Sequence, residues 1–169
     1  MAKSTFHIAQ FNIAHMRAPL DDPVMAGFVE QLDYINSVAD RAEGFVWRMQ
    51  TDEGDSTAIR AYGDEPIIVN MSVWTSLEAL HDYVYRSDHL GPMRQRKEWF
   101  VRSEGPSLVL WWIPEGTVPQ VTDGKARLEH LAARGPAPMA FTFKKWFPPP
   151  GDTEDREYRF DYTGCEWSQ

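Results

Sequence analysis

His89 is the residue of this chain best suited to moving a proton. An imidazole both takes and gives one, with an ordinary pKa near ~6.5. It stands just before Gly91-Pro92, a pair that cannot lie inside a regular helix, because proline lacks the donor and clashes with the preceding turn. His89 therefore marks a helix break. There it either caps the broken helix or points into a pocket as a general acid/base. Tyr83 and Tyr85 precede it, and helix rotation brings one or the other to such a pocket. Asn12, Asn70 and Ser72 lie on alternating stretches and offer amides and a hydroxyl for orienting an oxyanion. Trp47, Trp74 and Trp111 offer flat apolar walls, although each suits a core equally well. With His89, Asn12 and Tyr85 as the catalytic candidates, an apolar pocket with a few polar points fits a small hydrophobic or aromatic molecule.

Other chemistries lack their residues. The chain has neither GxGxxG nor GxxxxGK[ST], neither G-x-S-x-G nor H-E-x-x-H. His81 and His89 would lie ~12 Å apart on one continuous helix, too far to share an ion. No metal is expected. Arg94, Arg96 and Lys97 form a basic cluster that suits a solvated face, or a hold on a substrate carboxylate.

The elements that position these residues follow from periodicity. Residues 5–15 alternate, with His7, Ala9, Phe11 and Ile13 on one face and Phe6, Ile8, Gln10 and Asn12 on the other. Successive amides on one face either bond a neighbouring loop or line a polar pocket. Asp22-Pro23 starts a helix with Phe28, Leu32 and Ile35 on its apolar stripe, and Gly44 closes it. Strands are predicted over 45–50, with Phe45, Trp47 and Met49 on one face, and over 56–62 and 67–73. Thr75 and Glu78 form a capping box for a helix carrying Leu77, Leu80 and Val84. Pro92 opens a further helix that ends near Val101. Leu108–Ile113 is apolar on both faces, so both should be covered. Thr122 or Asp123 caps a helix with Leu128 and Leu131, and a last strand is predicted over 140–147. Residues 1–148 make one domain, and 149–169 form a polar tail containing aromatic residues.

Trp74-Thr75-Ser76, Ala79, Ser87-Asp88-His89, the 108–114 run, Ala126-Arg127-Leu128 and the 135–143 run together resemble the antibiotic-biosynthesis-monooxygenase-like superfamily. Within it they are similar to an uncharacterised bacterial family, as far as about Pro148. The resemblance implies an α+β, ferredoxin-like βαββαβ unit, here with an added C-terminal αβ, that pairs into a dimeric α/β barrel. It implies a cofactor-independent isomerase, cyclase or monooxygenase in biosynthesis, with His89 facing the cavity. Haem-degrading members carry an asparagine, a tryptophan and a histidine. Asn12 matches the first, Tyr83 stands at the second, and Met93 falls near the third. Haem degradation is thus disfavoured. A non-catalytic dimer binding a small molecule or haem is the alternative.

Composition sets the remaining bounds. The chain has 169 residues, 43% hydrophobic and 13% aromatic, with seven Trp, enough for a sizeable core. A net charge of −8 without a basic stripe argues against nucleic acid. No apolar run reaches the ~18–20 residues of a membrane span. Met1–Gln10 lacks the apolar core of a signal peptide, and Cys165 stands alone, so a cytoplasmic location is expected, while the homodimer is what the resemblance implies.

Overall fold

The long alternating stretch near the N-terminus becomes the central strand. In the computed structural model, which describes residues 5–52, 54–86 and 95–152, β1 spans Phe6–Met16. A 3-10 turn at Pro23–Met25 leads into α1, Ala26–Asp40. The Asp22 carboxylate accepts the Val24 amide proton at 2.9 Å, so the predicted Asp-Pro start holds. Then follow β2 (Phe45–Arg48), β3 (Ile67–Trp74), α2 (Leu77–Arg86), α3 (Arg96–Trp99), β4 (Phe100–Val101), β5 (Leu108–Pro114) and α4 (Val121–Arg134). The protein is α+β, and its five strands form an antiparallel sheet. The order is β2-β3-β1, with β5 and β4 sharing the far edge of β1. No described helix is long and apolar enough to cross a membrane.

Helices cover the two sheet faces differently. On one face, α2 sends Leu77 and Leu80 onto Ile8, Trp74 and Leu110. Farther along the same face, Phe28 of α1 packs with Met16, Ile68, Trp99 and Phe100. The opposite face is buried under α4, whose Leu128 and Leu131 meet Ala9, Phe11, Met71 and Trp111. Ile59, Ala61 and Tyr62 of the β2–β3 connection complete that cover. Lys125 ties it down, its ammonium 3.1 Å from the Ala61 carbonyl and 4.6 Å from the Tyr62 ring centre.

The sheet face beneath α4 is covered by the chain itself. Ala9, Phe11, Val69, Val73 and Val109 are 0% exposed within the single chain.

Gly124 explains how α4 comes so close. A Cβ built there would lie 2.5 Å from the Phe11 ring and 2.9 Å from the Phe11 Cβ. Gly124→Ala adds up to about 1 kcal/mol of helix propensity. A Cβ 2.5 Å from a packed ring puts the overpacking cost in the upper part of the usual range, about 2–3 kcal/mol, so a net loss of about 1–2 kcal/mol is expected. Urea denaturation measures it, and an unchanged or raised midpoint would contradict this seating.

Several local expectations are corrected. Ser76 caps α2 instead of Thr75: its hydroxyl accepts the Ala79 amide at 3.1 Å. Gln120 caps α4, with Asp123 answering its backbone. A bulge between Phe45 and Trp47 breaks the alternation of β2. Phe45 therefore packs on Trp74, while Trp47 joins the opposite face. Residues 56–62 form turns. The 140–147 strand reduces to isolated bridges, Leu110 to Phe141 and Ala137 to Ala140, in a stretch flanked by prolines at 136, 138 and 148–150. The tail beyond residue 152 lies outside the described residues.

Candidate functional site

The face under α1 and α2 is interrupted by polar residues. Register fixes which side chains share each rung, because directly opposed residues point to the same face. Trp74, Ile8 and Trp112 form an apolar rung, and Ile68 and Ala14 form another. Between them lie two polar rungs. One holds Arg48, Ser72 and Gln10, closed by Leu110. The next pairs Asn70 with Asn12, closed by Leu108. The polar rungs thus separate the α2 cluster from the α1 cluster.

The first polar rung is tightly bonded. The Gln10 amide donates to the Ser72 hydroxyl at 3.0 Å, and the Trp74 indole N–H donates to the same oxygen at 2.8 Å. Ser72 and Gln10 are buried at 6% and 8% exposure. Arg48 is held at the sheet edge by Asp40, Nε to Oδ1 at 2.7 Å, and by the Gly54 carbonyl at 2.8 Å. Ser72→Ala would leave two buried donors without their acceptor. A loss of about 1–3 kcal/mol is expected in chemical denaturation. A loss below about 0.5 kcal/mol would contradict this network, because an orphaned buried donor carries its whole desolvation penalty.

The second rung is open. Asn70 is exposed in the middle of β3, although Val69 and Met71 beside it are 0% and 1% exposed. Asn12 opposite is half-buried. A mid-strand asparagine facing a helix layer without being covered marks a gap between the two helices. Its amide can donate to an oxygen placed there and accept from a hydroxyl.

Tyr83 borders the bonded rung. Its ring stacks on Trp74 with centres 4.8 Å apart. Burial first, and then Asp40, push its phenol well above the ordinary range, with Arg48 opposing. Tyr83 is therefore a neutral group here, not a phenolate base.

The family model for a domain of unknown function, DUF3291, matches residues 7–157. The chain belongs to the DUF3291 family. No curated protein sequence matches it. Among solved structures, this DUF3291 chain is similar to SnoaB, described as a cofactor-independent oxygenase from Streptomyces nogalater. The identity is 16%, over 70% of this chain and 100% of that one, with a TM-score of 0.40.

The DUF3291 fold brings some candidate residues together and parts others. Asn12, Asn70, Ser72 and Trp74 share one sheet face, with Tyr83 against Trp74. Trp111 lies on the opposite face, 1% exposed, beneath the Arg127 guanidinium at 5.1 Å. Burial lowers the Arg127 pKa, and Asp123 opposes that shift. Trp47 packs on that opposite face too. Neither tryptophan walls the polar rungs. Trp74 does so only as a fully buried floor. Tyr85 is buried against Phe143 and His81, ring centres 5.6 and 4.7 Å away. His81 is 2% exposed in that aromatic nest. His89 and Met93 lie outside the described residues. No metal-holding group of three ligands occurs among the described residues.

Sequence reasoning missed two members of this site. Gln10 was grouped with Asn12 but not singled out, and Arg48 carried no signal. The cue for Arg48 was its place opposite Ser72, which only register supplies.

Proposed function

We propose that this protein is a small cofactor-independent enzyme, of the ferredoxin-like monooxygenase type, acting on a hydrophobic or aromatic intermediate. The observation that carries this reading is the open asparagine rung between two helix-covered apolar clusters. Its amides suit a developing oxyanion, and the apolar clusters on either side suit a hydrophobic ligand. His89 takes a proton from the substrate, and Asn12 and Asn70 hold the oxygen on which the charge collects. Isomerisation, cyclisation and oxygenation of an electron-rich substrate share that first step.

The test is turnover of a panel of hydroxylated naphthalenes with no cofactor added, followed by oxygen uptake and product mass. Isomerised, cyclised or oxygenated product supports the reading. Binding without turnover would move the assignment to a non-catalytic ligand-binding protein, and a visible band on adding haem would specify haem.

A further inference from the structure

At the Ile13–His15 end of β1, the sheet face under α4 borders a cavity of about 480 Å³. One polar contact in its lining joins two groups that can do chemistry together. Ser103 Oγ lies 3.1 Å from His15 Nδ1, in a half-buried position. That is the reach at which a base takes a proton from a hydroxyl nucleophile. In the tautomer with its proton on Nε2, the His15 ring accepts the Ser103 O–H at Nδ1.

Backbone pairing places both partners. His15 stands between two strands, opposite Ile67 of β3 and Val101 of β4. Ser103 follows β4 by two residues. The far end of its connection is tied back to β1, where the Ile13 amide donates to the Ser107 carbonyl at 2.9 Å. The two side chains are therefore brought together before any substrate arrives, which is the geometric part of catalysis. Tyr62 adds a hydroxyl to the same lining. Burial first, and then Glu129 and Glu65, raise its pKa, so the phenol keeps its proton and donates. Ile13, Leu128 and Ala132 make aliphatic wall, which suits an acyl chain.

We propose that Ser103 and His15 form a nucleophile–base pair that hydrolyses a carboxylic ester with an aliphatic acyl chain. The pair lies on the sheet face opposite the asparagine rung, so its chemistry is independent of the function proposed above. Ser103 Oγ bonds to the ester carbonyl carbon while its proton passes to His15 Nδ1. Tyr62 supplies a donor for the oxygen that becomes negative. The bond from the acyl carbon to the alkoxy oxygen then breaks, and the leaving alcohol takes the proton from His15. Water next adds to the acyl-serine and gives a proton to His15. The carboxylic acid leaves, and Ser103 regains its proton.

Treatment of the full chain with diisopropyl fluorophosphate, read by peptide mass spectrometry, tests it alongside hydrolysis of p-nitrophenyl butyrate. The diisopropylphosphoryl group is expected on Ser103, and the butyrate ester is expected to be cleaved. Ser103→Ala should abolish both reactions. His15→Gln, which still offers a hydrogen bond but cannot take the proton, should slow both by roughly 10²–10⁴-fold. Labelling of the unaltered chain keeps the test decisive even where a variant fails to fold. An unlabelled Ser103, a label carried only by another residue, or ester cleavage that persists undiminished in Ser103→Ala or His15→Gln would overturn the proposal.

Discussion

His89→Ala is expected to lower turnover by about 10²–10⁴-fold, the usual contribution of a positioned acid/base group. Folding should be unaffected, as judged by circular dichroism and the thermal midpoint. The other four histidines lie away from the asparagine rung. His7 and His15 project from the sheet face opposite the asparagine rung, since they share a face with Phe11. His15 is already bonded to Ser103. His130 belongs to α4, which covers that same opposite face. His81 is packed among Tyr85 and Phe143. The Tyr83 phenol is held neutral by burial and cannot replace an imidazole as a base near neutrality. The pH profile provides a second readout. A base must be deprotonated to act, so activity should fall as pH drops through the ordinary imidazole range near ~6.5. The alanine variant should lose that limb. Unchanged turnover and an unchanged profile would remove His89 from the chemistry.

Trp74→Ala is expected to cost about 3–5 kcal/mol of stability, the range for deleting a large aromatic side chain from a core. Trp74 is 0% exposed. Its ring meets Phe45 edge-on at 5.4 Å and stacks on Tyr83 at 4.8 Å. It also supplies one of the two protons that Ser72 accepts. Truncation opens a void between β3 and α2 and loosens the bonded rung at once. Trp74→Phe separates these effects. It retains much of the packing and loses the N–H, so about 1 kcal/mol or somewhat more is expected. Urea denaturation of both variants measures the pair. A cost below about 1 kcal/mol for the alanine variant would contradict the place of Trp74 at the centre of this cluster.

The parts of the fold that alternation or caps encode were legible in the chain. β1 and β3 alternate cleanly, and their register pairs Asn12 with Asn70 and Gln10 with Ser72. The shared face of Asn12 and Gln10 was therefore readable from spacing alone. The meeting of Asn12 with Asn70 was not, because pairing register depends on two distant segments. Trp111 shows a different limit. It lies on a strand apolar on both faces, so periodicity could not say which face was which. Only the docking of α4 decides it. Trp47 was misplaced by a bulge, which flips every later side chain of β2 and leaves no mark in the alternation. The docking of α4 onto the sheet was not readable from periodicity either. Its signal was Gly124 on the apolar side of a helix, where a close approach needs the missing Cβ.

In the proposed reading, ligand binds on the sheet face carrying Asn12 and Asn70. Side-chain amide and indole signals followed by NMR during titration with 1-naphthol test it most directly. The Asn12 and Asn70 amide signals are expected to move in proportion to occupancy while the Trp111 indole signal stays in place. Movement of Trp111 and the Tyr62 region, with both asparagine amides unmoved, would put the ligand under α4 and contradict the site.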